Sequence, residues 1–125
     1  MTIYMKRVYE DADKEDGHRI LVDRIWPRGV SKEQAALDLW LKEIGPSSSL
    51  RKSFHAGDLD FDQFSKDYKQ ELEDGEQKEA YDQLKKVATE EDVVTLVFAA
   101  KDETHNQAHV LKDMLEKESD VKTED

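Results

Sequence analysis

The sequence contains no cysteine. Disulfides, thiolate-bound metals and thiol nucleophiles are therefore excluded together. Proline occurs twice and glycine five times, and the glycines are scattered. No Walker loop, Gly-x-Gly-x-x-Gly turn or zinc finger is present. Apolar runs are short as well. The longest lies within Val93–Ala100, far below the roughly 20 residues that a bilayer requires. Met1-Thr2-Ile3 shows no basic segment leading into an apolar one. A leader is not expected, and the expected location is cytoplasmic.

Charge, by contrast, is plentiful. Charged residues make up 39% of the 125, apolar ones 37%, and the formal net charge is −11. The length suits one domain, expected over residues 1–118, with residues 119–125 as an acidic disordered tail. The excess is uneven: residues 1–55 hold ten Lys and Arg against nine Asp and Glu, and residues 56–125 hold nine against twenty-one. All five arginines (Arg7, Arg19, Arg24, Arg28, Arg51) lie in the first part. Arginine is the side chain best shaped for bidentate anion recognition. The overall negative field disfavours a nucleic-acid partner.

Hydrophobic periodicity supplies the elements. Ile3–Tyr9 alternates as a strand, and a polar, acidic loop follows over Glu10–Gly17. Arg19–Trp26 reads as a second strand, closed by Pro27-Arg28-Gly29. Ser31-Lys32-Glu33-Gln34 fits a capping box, which predicts a helix burying Ala36, Trp40 and Ile44 on one face. Ser47–Phe54 is expected to form a short helix. A helix capped at Asp60 is predicted to bury Phe61, Phe64, Tyr68 and Leu72, up to a break at Asp74-Gly75. Ala80, Tyr81, Leu84, Val87 and Ala88 mark another. Val93–Ala100 lacks polar alternation, as a strand covered on both faces does. A last helix is predicted from about Thr104 to about Lys117. The sum is an α/β fold: a small three-layer sandwich, its parallel or mixed sheet of few strands flanked by helices.

Two runs go beyond pattern. One is Asp16-Gly17-His18-Arg19-Ile20-Leu21-Val22-Asp23-Arg24-Ile25-Trp26-Pro27-Arg28-Gly29. The other is Val94-Thr95-Leu96-Val97-Phe98-Ala99-Ala100-Lys101-Asp102, followed by His105-Asn106-Gln107-Ala108. With these the chain resembles the YeaO-like family of uncharacterised bacterial proteins, over roughly residues 2–116. A broader set of similar proteins opens its last helix with Cys-His-Arg. The matching residues here are Thr104-His105-Asn106, so the resemblance implies no thiol chemistry at that position.

Both runs are strand-to-loop junctions, where ligands of α/β sheets commonly bind. If the two loops share a rim, Arg24, Arg28 and Lys101 are the candidate anion ligands. Trp26 would stack on a ring, Asn106 would orient the ligand, and Asp102 and His105 would handle protons. That set suits a phosphate, a carboxylate or a nucleotide. The same residues also have structural readings: Asp23 and Arg24 as ion-pair partners, Pro27-Arg28-Gly29 as a turn, Asp102 or Thr104 as a helix cap. His105 and His109, with Asp102 or His55, have spacing for a metal, but lack a His-Glu-x-x-His arrangement, and no metal or other cofactor is expected. Ser47, Ser48 and Ser49 have no nucleophile elbow, and capping by one serine explains them better. Glu71 is expected on the surface or in an ion pair rather than as a base. The alternative to ligand binding is a protein-interaction module that presents the acidic helices from Phe61 to Ala88 to a basic partner. No membrane partner is expected.

Overall fold

Val93–Phe98 is the strand around which the structure is arranged. In this computed structural model, which describes residues 2–118, it lies inside a four-stranded sheet. The strands are β1 (Thr2–Arg7), β2 (His18–Leu21), β3 (Leu39–Trp40) and β4 (Val93–Phe98). Their order is β1-β4-β2-β3, and every neighbouring pair is parallel. An interior parallel strand must be apolar on both faces, as β4 is. Val94, Leu96 and Phe98 face the main core, and Val97 faces a smaller cluster with Val8, Leu21 and Ala35.

The main core is closed by α2 (Ser48–His55), α3 (Phe61–Glu71), α4 (Gly75–Glu90) and α5 (Gln107–Lys117). Phe64, Tyr68, Leu84, Leu111 and Leu115 are almost fully buried there. Each such side chain contributes about 1.5–3 kcal/mol on leaving water. The opposite layer is thin. It comprises the one-turn α1 (Lys32–Ala35), a 3₁₀ turn over Lys14–Asp16 and loops. Polar bonds support it: Arg19 pairs with Asp16 at 2.6 Å and donates to the Ala35 carbonyl, and Lys6 reaches Asp16 at 3.1 Å. Burial pushes the Asp16 carboxyl up. Hydrogen bonds from the Asp13 amide, Lys6 and Arg19 outweigh it and leave the group below its usual value.

Several expected boundaries move. The helix after Ser31 keeps its capping box but stops after one turn, because Ala36 turns left-handed at φ 47°. Asp38 then exchanges bonds with Arg19: its amide donates to the Arg19 carbonyl and its carboxylate accepts from the Arg19 amide. Leu39 and Trp40 are thereby drawn into the sheet edge, so Ala36, Trp40 and Ile44 share no helix face. The second strand ends at Leu21, well before Trp26, and the segment that follows becomes loop. The last helix begins at Gln107 because Asp102 holds the amides of Thr104 and His105 in a preceding turn. The short connection from β1 to β2 joins two parallel strands that are not neighbours, since β4 lies between them. The expected tail, residues 119–125, lies outside the described residues. Among the described residues, no helix is long and apolar enough to cross a membrane.

Candidate functional site

Because β2 and β4 are parallel neighbours, the loops that leave them emerge at the same edge of the sheet. Asp23, just past the end of β2, joins them. Its carboxylate accepts the Ala99 amide at 3.0 Å and the Gln107 side-chain amide. The arginine-bearing turn thus meets the opening of α5. Trp40 supports the turn from β3 by donating to the Asp23 carbonyl at 2.7 Å. Arg7 braces the other loop through the carbonyls of Ala99 and Ala100.

Between the loops, α2 and α3 lies a cleft of about 480 Å³. Its apolar wall includes Ile25, Pro27, Pro46, Phe54 and Phe64. Phe54 stacks on Phe64 with centroids 4.4 Å apart. Arg24, Arg28, Arg51 and Lys101 also line it, and Asp23 is the single carboxylate among the lining residues. Four permanent cations against one carboxylate, in a protein of net charge −11, is a local reversal of sign.

The cations sit at different depths. Arg28 and Lys101 are exposed at the mouth, where no described side-chain partner engages either. Arg24 and Arg51 are half-buried. Arg24 spends its Nε on the carbonyls of Gly45 and Pro46, and its terminal nitrogens make no hydrogen bond among the described residues. It does not pair with Asp23. The Arg51 guanidinium makes no hydrogen bond among the described residues and acts on Asp23 through its charge. Burial dominates at Asp23 and pushes its carboxyl up to about 6, against the bonds from Ala99 and Gln107 and the charge of Arg51.

The other expected site residues separate into two groups. Trp26 and His105 line the cleft. The Trp26 indole donates to the Val30 carbonyl at 2.7 Å and packs in a T-shaped contact with Trp40, centroids 5.3 Å apart. His105 is exposed, tilted over Phe61 at 4.8 Å, with Nδ1 3.6 Å from Asp102. Asn106 also borders the cleft, but its side chain is committed: it caps α5 at the His109 amide and donates to the Asp102 carbonyl. Asp102 turns into its own loop. Hydrogen bonds from His105 and Thr104 hold its carboxyl below the usual value, and it does not line the cleft. The carboxyl facing the cleft is Asp23. Asp23 and Arg51 are cleft residues beyond those expected from the sequence; the acid that follows the apolar run of β2 is a local signal for the first, and Arg51, on α2, has none.

Ser47, Glu71 and Tyr68 have structural roles. Ser47 caps α2 at the Leu50 amide, and Glu71 accepts from both the Ser47 amide and the Ser47 hydroxyl. Tyr68 donates to the Ile44 carbonyl at 2.5 Å. Among the described residues, no three His, Asp or Glu side chains are grouped to hold a metal.

A family model described as the inactive DUF488-N3 subclade matches residues 2–125. The chain belongs to that subclade. It is 47% identical to the Uncharacterized protein YeaO of Escherichia coli over 115 residues, covering 92% of this chain and 97% of that protein. It is 40% identical to the Uncharacterized protein Rv3073c of Mycobacterium tuberculosis over 113 residues, covering 90% and 92%. The YeaO-like resemblance is thus established. No solved structure matches the chain. Thr104 in this DUF488-N3 member lies on the exposed turn just before α5.

Proposed function

We propose that this DUF488-N3 protein is a non-catalytic binding domain for a small organic anion held in the cleft between the β2 and β4 loops. The observation that carries the reading is the reversal of charge there: four cations and one carboxylate line a partly apolar cavity in an acidic protein. Arg28 and Lys101 meet the anion at the mouth, and Arg24 and Arg51 offer guanidinium donors further in. Phe54, Phe64 and Ile25 take the apolar part of the ligand. Trp26 and His105 complete the walls, and Asn106 fixes the loop instead of touching the ligand.

The subclade description, inactive, supports binding over catalysis. So does the side-chain chemistry: Asp102 stays ionised within its turn, and no nucleophile with an adjacent base faces the cleft. The test is thermal unfolding against a panel of phosphorylated and carboxylated metabolites. A ligand at about 100 times its Kd stabilises by about 2.7 kcal/mol, a rise of several degrees in Tm. The rise is expected to vanish in Arg28→Ala, whose side chain supports no described contact of the fold. A panel without any stabilising anion would remove the reading.

A further inference from the structure

We infer that the ligand is a nucleoside monophosphate, bound with its base directed inward to Asp23 and its phosphate outward between Arg28 and Lys101. This rests on the anion-binding reading and adds to it an orientation and a chemical class.

An anion-binding cleft has no need of a carboxylate at its inner end, yet Asp23 stands there, bonded to the loop behind it and bordering the cavity in front. A carboxylate has room for about four hydrogen bonds, and Asp23 receives two. Arg51 supplies charge nearby without a hydrogen bond. The remaining acceptor positions favour a neutral N–H donor on the ligand and repel an anionic group. The phosphate therefore belongs at the other end. There the cations are exposed and unpartnered, and the desolvation cost of a charged group is least.

Phe54, Phe64 and Pro46 line the same cleft, so the ligand includes a flat, largely apolar part besides its two polar ends. A heterocycle with an N–H edge, carried on a sugar that bears one phosphate, has this sequence of properties. The cleft of about 480 Å³ is of the size that takes such a ligand. A simple aryl phosphate would satisfy the rim and the wall while leaving Asp23 without its donor, and a site built to hydrogen-bond discriminates strongly against an analogue lacking the partner.

Isothermal titration of the full chain with the four common 5′-ribonucleoside monophosphates, phenyl phosphate and inorganic phosphate tests this. At least one nucleotide should bind tenfold or more tightly than phenyl phosphate. In Asp23→Asn that margin should collapse, with phenyl phosphate affinity little changed, because the amide oxygen can still accept from Ala99 and a flipped Gln107 can accept from the amide NH2. In Lys101→Ala both ligands should weaken about equally and the margin should survive. The Lys101 side chain is exposed, so this second variant remains informative even if the first fails to fold. Phenyl phosphate binding as well as every nucleotide, or a nucleotide preference that survives Asp23→Asn, overturns the inference and leaves the anion site standing. Absence of binding by every compound overturns the inference, and the anion site then stands or falls with the thermal-unfolding panel.

Discussion

Asp23 is a costly residue for folding, which is why its position matters. Burial raises its carboxyl from 3.8 to about 6, so the folded protein binds a proton there more tightly than the unfolded chain does. The stabilising contribution of that proton is complete below about pH 4. It is lost as pH rises through about 6, and by pH 7 the ionised side chain carries a penalty of about 3 kcal/mol. Asp23→Asn removes the titration while keeping the shape. Its stability relative to the parent should therefore grow between pH 4 and pH 7, by up to about 3 kcal/mol in urea unfolding. A constant difference across that range would show that the carboxyl is not held up by its surroundings. A gain in stability paired with a loss in ligand preference is the expected signature of a binding residue that strains the fold.

The N-terminal end of α2 is set by a residue from another helix. Glu71, at the end of α3, accepts from the Ser47 amide, the Ser47 hydroxyl at 2.5 Å and the Gln77 side chain. Through Pro46 and Arg51 the same end forms one wall of the cleft. Glu71→Ala strands these donors and should cost about 2 kcal/mol in chemical denaturation, while Glu71→Gln, which keeps an acceptor, should cost less. Equal losses would argue against a specific cap. This contact also marks how far the sequence could be read. Local signals held: Ser31 and Gln34 form their box, Asp60 caps α3, and the apolar run of β4 lies inside the sheet. Features set by distant residues were not legible. Nothing near Ala36 announces the left-handed turn that ends α1, because its reward is the pairing of Asp38 with Arg19 across the sheet edge. Likewise Arg24 and Lys101 were visible as loop cations beside specific runs. Arg51 was not, because it reaches the cleft from a separate helix, and only the folded chain brings it near Asp23.

Charge is arranged so that a small anion and a long polyanion meet different fields. The cationic cleft is small, about 480 Å³. Arg24 separates it from a second, open depression lined by Asp67, Asp74 and Glu76, and beyond these α4 carries Glu79 and Asp82. A mononucleotide entering the cleft reaches Arg28 and Lys101 within a few ångströms, inside the screening length of about 8 Å at physiological salt. An oligonucleotide that extends past Arg24 meets carboxylates, which cannot release its counterions and add repulsion for each further phosphate. A fluorescein-labelled 20-mer should therefore show no binding by anisotropy at 150 mM salt under conditions where a mononucleotide binds. Lowering the salt to 20 mM should bring little gain, because few phosphates find cations. A steep gain with a log–log slope of several units would mean that many basic side chains contact the strand. The cleft would then be one part of a nucleic-acid surface rather than a pocket for a single small anion.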